Sequence, residues 1–153
     1  ATYGFCLPNK GYKELILACD NLIKKGFDLK LTIFSAISSD NYNWVYDQLN
    51  DLILELDLPE FISIDTTYMN DEETLRYLSM QDCLVFPYQK TSASTSASVR
   101  HGIASNSNIF VTPSVVFDDV SQLVNYLPGF SFEEIAQGLE SWFTQFHDAK
   151  FKE

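Results

Sequence analysis

Apolar positions along this chain switch repeatedly between a period of two and a period near 3.6. Residues 1–8 open as a short apolar run that reads as a strand. Tyr12, Leu15, Ile16, Cys19, Leu22 and Ile23 then fall at helical spacing, and Lys24-Lys25-Gly26 closes that helix with positive charge and a C-terminal glycine. A strand is predicted over residues 29–36. Val45, Leu49, Leu52, Ile53 and Leu56 mark a second helix that stops near Pro59, and residues 61–68 supply a third strand. Asn70-Asp71-Glu72-Glu73 caps a third helix running to about Ser79, its acids placed where the helix dipole favours them. A fourth strand follows over residues 83–88. The fourth helix begins at Ser94 or Ser96 and runs to Ser105, and a fifth strand spans 108–112. Residues 113–119 read as a connecting loop and 122–127 as a weak sixth strand. Phe132, Ile135, Leu139, Trp142, Phe143 and Phe146 line one face of a last helix.

Strands that alternate with helices imply a parallel sheet covered on both faces. The expectation is therefore an α/β, doubly wound Rossmann-like fold of about six strands, forming a single domain over residues 1–153 with no internal linker. In the common strand order 3-2-1-4-5-6, ligands bind beyond the carboxyl ends of strands one and four, where the chain direction reverses. Two segments should meet there. One is Leu7-Pro8-Asn9-Lys10-Gly11, and the other is the hydroxyl-rich, small-residue turn of the stretch Phe86–Arg100, which leads into the fourth helix.

Composition narrows the partners of such a site. The chain of 153 residues holds 21 acidic and ten basic side chains, a net charge of -11 that argues against a nucleic-acid backbone as ligand. No apolar run approaches the roughly 18 residues needed to span a bilayer, and the opening segment lacks the pattern of a secretory signal. Cys6, Cys19 and Cys83 lie inside apolar segments without metal-ligand spacing, so they read as reduced core residues in a cytoplasmic protein. The absence of an initiator methionine suggests a piece of a longer protein.

The two converging segments carry the chemistry. Lys10 offers a cation, Gly11 allows close backbone approach, and a helix start after strand four offers hydroxyls and free N–H groups to an anion, with a diphosphate the natural fit. Neither a glycine-rich dinucleotide fingerprint nor a Walker phosphate loop follows strand one. Asp118-Asp119 reads as solvent-facing or capping groups rather than a metal pair, and no metal ligand is assigned. Lys90 and Arg100 read chiefly as solvated surface charges that could add to the field near the turn.

Several short motifs, in order and over nearly the whole chain, resemble the C-terminal, nucleotide-sugar-binding half of a GT-B glycosyltransferase, most closely the retaining family 4. They are Gly4 before Lys10-Gly11, the segment Glu14-Leu15-Ile16-Leu17-Ala18, Asp82-Cys83-Leu84-Val85-Phe86-Pro87-Tyr88, and Ser96-Ala97-Ser98-Val99-Arg100. Val111-Thr112-Pro113, Phe117-Asp118-Asp119 and Ser131-Phe132-Glu133-Glu134-Ile135-Ala136 complete the series.

The resemblance implies a diphosphate held by Lys10, Gly11, Ser94, Thr95 and Ser96. It places the nucleotide and ribose near Tyr68 and the turn at Asn70–Glu72, with His101 at a ribose-binding position. Two departures stand out: the arginine that usually joins the lysine is replaced by Phe5, and Ala93 and His101 occupy the two positions of the family's Glu-x7-Glu motif. Alanine cannot accept a sugar hydroxyl, so the donor-orienting carboxylate is missing at Ala93.

The implied activity is hexose transfer from a nucleoside-diphosphate sugar to a saccharide or lipid-linked acceptor. It needs no cofactor beyond that donor substrate. The resemblance further implies an N-terminal acceptor domain outside this sequence, without which the isolated domain is inactive, a role in polysaccharide biosynthesis, and peripheral membrane association of the parent protein. The competing reading is a degenerate glycosyltransferase-like domain acting as a non-catalytic binding or scaffold module. A flavodoxin-like or receiver-like domain is disfavoured because no acidic cluster ends strand one.

Overall fold

The computed structural model describes residues 1–91 and 96–151, with side chains through residue 146. Ala93, Ser94 and Thr95 lie outside the described residues. In chain order the elements are β1 (Thr2–Tyr3), α1 (Tyr12–Lys24), β2 (Leu31–Phe34), a 3-10 turn (Asp40–Tyr42), α2 (Asn43–Glu55) and β3 (Ile62–Asp65). The second half holds α3 (Asp71–Ser79), β4 (Leu84–Phe86), α4 (Ala97–Ala104), β5 (Ile109–Val111), a 3-10 segment (Val115–Leu123), β6 (Asn125–Tyr126) and α5 (Phe132–Phe151).

All strand pairings are parallel, in two three-stranded sheets ordered β1-β2-β3 and β4-β5-β6. Two backbone bonds join them: the Ala1 amine donates to the Cys83 carbonyl and the Val85 N–H to the Ala1 carbonyl, each at 2.9 Å. Laid side by side, the strands run 3-2-1-4-5-6. The strands are shorter than their apolar runs predict, yet pairing continues past their ends. Gly4 donates to Phe34 at 3.0 Å, Cys6 to Ala36 at 3.0 Å and Ser35 to Asp65 at 2.8 Å.

Period-two alternation divides the core between the two faces of the sheet. Ile33, Val85 and Phe110 pack with α1, α2 and α5 on one side, where Leu15, Leu22, Leu49, Ile53, Ile135 and Leu139 are buried. Phe34, Leu84, Phe86, Ile109 and Val111 face the other side, against Leu78 of α3 and Val99 of α4. Local signals set the helix ends. Gly26 turns the chain after α1 at φ 95°, and Asn70 with Glu73 forms a reciprocal capping box on α3.

One segment departs from the sequence expectation. Residues 113–119 are not simply a loop: Ser114 accepts from the Val116 N–H at 3.4 Å and starts the 3-10 segment. Val116, Phe117 and Val120 then point inward and are buried in the second core cluster. The same segment absorbs the start of the expected sixth strand, leaving Asn125–Tyr126 paired to β5. No helix among the described residues is long and apolar enough to cross a membrane.

Candidate functional site

Beyond the carboxyl ends of β1 and β4, two chain crossovers are locked against each other. Gly11, the N-cap of α1, adopts φ 75°, and a Cβ there would lie 1.7 Å from the Pro87 carbonyl oxygen. Only glycine allows that contact. The Gln89 N–H donates to the Asn9 carbonyl at 2.9 Å, and its side-chain amide donates to the Phe130 carbonyl at 3.0 Å. Thr112 donates its hydroxyl to the Tyr88 carbonyl at 2.5 Å, fixing the exit of β4 from the other side.

A polar chain crosses this junction. The Lys10 ammonium donates to the Tyr88 hydroxyl at 3.0 Å and sits over the ring, 4.2 Å from its centroid. The Tyr88 hydroxyl in turn lies 2.9 Å from Ser96 Oγ, which accepts from the Val99 N–H at 3.3 Å as the N-cap of α4. Tyr88 is only 4% exposed and packs against Phe117, so its hydroxyl is held in place. Lys10, Gly11 and Ser96, expected from sequence to share a site, are thus brought together.

Two helix starts converge around that lysine. No side chain caps the first-turn N–H groups of α1, and α4 begins across the junction. Gly4 tightens the approach, since a Cβ there would lie 2.9 Å from Ser98 Oγ in the first turn of α4. The buried Tyr12 hydroxyl donates to the Phe5 carbonyl at 3.5 Å, and burial pushes its pKa well above the phenolic range. Phe5 is 44% exposed and adds no charge.

Tyr68 and His101 lie apart from this junction, around the start of α3. Tyr68 is 75% exposed in the segment before the Asn70 cap. His101 on α4 places Nε2 3.1 Å from Asp71 Oδ1 and Nδ1 3.1 Å from the Ala97 carbonyl, with its ring edge against Tyr3. Arg100 pairs with Asp119, tying α4 to the 3-10 segment rather than adding charge at the turn. Cys6, Cys19 and Cys83 are free and buried, and burial pushes the Cys19 thiol up to about 12.

Sequence reasoning placed Tyr88 at the end of strand four and within a motif of the resemblance, but assigned it no role in the site. A tyrosine directly after Phe-Pro stands at the carboxyl end of a switch-point strand, but its bonds to Lys10 and Ser96 depend on side-chain reach across elements.

Neither a protein-family model nor a curated protein sequence matches the chain. Solved structures do. A glycosyltransferase from Rickettsia africae superposes with a TM-score of 0.78 at 17% identity, covering 94% of this chain and 36% of that one. The C-terminal domain of a group 1 glycosyl transferase from Francisella tularensis gives 0.75 at 16% identity, covering 94% of this chain and 73% of that domain. Sucrose-phosphate synthase from Thermosynechococcus elongatus gives 0.75 at 13% identity, covering 94% of this chain and 35% of that one. The chain thus spans about a third of the length of the first and third. With its parallel strands ordered about a β1–β4 switch point and its helices on both faces, the chain has the Rossmann-like fold of a GT-B glycosyltransferase domain.

Proposed function

We propose that this domain binds a nucleoside-diphosphate sugar and forms the donor half of a retaining glycosyltransferase related to family 4. The Lys10 ammonium, held at the junction by Tyr88 between the starts of α1 and α4, is the observation that carries this reading. A diphosphate placed there would meet a cation and two helix termini, all preorganised before binding. Departure of the nucleoside diphosphate leaves negative charge on its terminal phosphate. The same groups would stabilise that charge and so lower the barrier to transfer without a protein nucleophile.

In this reading the nucleoside extends toward Tyr68 and His101 at the start of α3, and the hexose passes to a saccharide or lipid-linked acceptor. The residues outside the description, Ser94 and Thr95, would complete the phosphate cradle, and the acceptor domain would lie N-terminal to this chain. A cytoplasmic setting, peripheral membrane association of the parent protein and a role in polysaccharide assembly belong to the same proposal. No cofactor besides the donor is needed.

Phe5 and Ala93 favour a second reading, a glycosyltransferase-like domain that serves as a non-catalytic binding module. Thermal-shift titration of the domain with UDP, GDP and ADP, with and without attached sugars, tests both. Ligand that binds only the folded state raises the melting temperature through RT ln(1 + [L]/Kd). We expect a shift with at least one nucleotide and its loss in Lys10→Ala. No shift with any of them at millimolar concentration overturns donor binding and leaves the scaffold reading. An unchanged affinity in Lys10→Ala misplaces the diphosphate.

A further inference from the structure

Against the Leu7–Gly11 loop, and sharing Lys10 and Gly11 with the junction described above, lies an open cleft of about 190 Å³, bounded by that loop, the N-terminal parts of α1 and α2, and Gln89. Its most unusual wall is Trp44. This indole is 48% exposed on the first turn of α2, although the next residue, Val45, and Leu49 one turn on are buried in the core. Tryptophan has a large apolar body and a single donor, and in folded domains it is on average mostly covered. Here the body faces the cleft.

Polar groups surround the indole without being engaged elsewhere. Gln48 stands four residues after Trp44 and therefore on the same helix face, and Lys13 and Glu14 extend from the first turn of α1. None of the four side chains makes a hydrogen bond or ion pair with another described residue. Together they offer amide, carboxylate and ammonium groups around one flat apolar surface.

We propose that this cleft is a saccharide subsite in which Trp44 stacks on the C–H face of a pyranose ring while Gln48, Glu14 and Lys13 bond its hydroxyls. A polyol presents paired donors and acceptors at its edge and an apolar face above, which is the complement of this wall. An anion fits less well. Lys13 is balanced by Glu14, and Lys10, which also lines the cleft, already donates its ammonium to Tyr88. The volume is below the ~300 Å³ at which pockets for drug-sized ligands begin, so it accommodates one ring, with the remainder of an oligosaccharide leaving through the open side. The inference does not rest on donor binding.

The chain has two tryptophans, so Trp142→Phe leaves Trp44 as the sole indole reporter. Titration of that variant with maltotriose, cellotriose and a mannotriose, each against glycerol as a polyol control, should give a saturable change in emission with at least one trisaccharide. If Trp142→Phe does not fold, saturation-transfer NMR on the unsubstituted chain reads the same binding. Trp44→Ala in the otherwise unsubstituted chain, read by saturation-transfer NMR, should weaken the responding sugar by about tenfold or more while leaving any UDP-induced melting shift intact. A response matched by glycerol, no response to any trisaccharide, or unchanged binding in Trp44→Ala overturns the proposal. Loss of the UDP shift alone bears only on the donor reading.

Discussion

Lys10 and Tyr88 are separated by 78 positions in the chain, yet the lysine ammonium lies 3.0 Å from the tyrosine hydroxyl and over its ring. The hydroxyl links that cation to the Ser96 cap, so one phenolic oxygen couples the two crossovers. Tyr88→Phe keeps the ring and its cation–π contact but removes both bonds. It should lower the unfolding free energy by ~1–2 kcal/mol, with urea denaturation as the readout. Ser96→Ala should cost ~1 kcal/mol through loss of the cap. Because the two side chains touch, the double variant should lose less than the sum of the single losses. Strict additivity would mean that the Tyr88–Ser96 bond contributes nothing.

Glycine has different work at Gly11 and Gly26, although both have positive φ, 75° and 95°. A Cβ at Gly26 would meet nothing within 4 Å, whereas at Gly11 it would collide with the Pro87 backbone carbonyl. Gly26→Ala should therefore cost only the left-handed backbone strain, ~1–2 kcal/mol. Gly11→Ala adds an overpacking cost and should reach ~3 kcal/mol or more. Equal losses in chemical denaturation would contradict the close approach of the two crossovers.

The start of α5 should give a pH-dependent contribution to stability. Glu134 accepts from the Ser131 N–H at 3.1 Å and from its hydroxyl at 2.9 Å, and these bonds hold its pKa below the ordinary 4.5. A depressed folded-state pKa means that the stabilisation is fully present above pH 4.5 and declines as the pH falls through the lowered value. Melting curves of the unsubstituted chain and Glu134→Ala should differ near neutrality and converge in acid. A gap that persists unchanged at low pH would show that the carboxylate's charge is irrelevant to the cap.

Native-state alkylation should find the three cysteines inert. All are buried, and desolvation raises their thiol pKa values, so the thiolate is scarce as well as hidden. Iodoacetamide labelling should be slow in buffer and rapid in urea. Fast labelling of any one of them under native conditions would place that residue in a locally open segment.

Much of the architecture was legible because it is written in local periodicity. Leu84 and Phe86 turn one way and Val85 the other, and that alternation alone separates the two core clusters. The Asn70 cap and Gly26 stop were equally plain, since each acts within four residues. The 3-10 segment was obscured because Pro113 and the Asp118-Asp119 pair are turn chemistry, while Val116, Phe117 and Val120 keep helical spacing over little more than one turn. Site partners were harder still. Lys10 and the hydroxyl-rich helix start could be placed at one crevice by topology, but Tyr88 between them, and Asp71 beside His101, depend on side-chain reach across elements. Nothing in spacing encodes that.

Gly4 and Ser98 carry a consequence for how this sequence can drift. The space a methyl group would need at position 4 is already occupied by the Ser98 hydroxyl, 2.9 Å away. A change at position 4 is thereby coupled to position 98: a side chain at 4 would require the Ser98 hydroxyl to turn away, as well as straining a backbone at φ 150°. Removing the Ser98 hydroxyl should therefore soften the cost of a methyl group at position 4, leaving the backbone strain as the remainder.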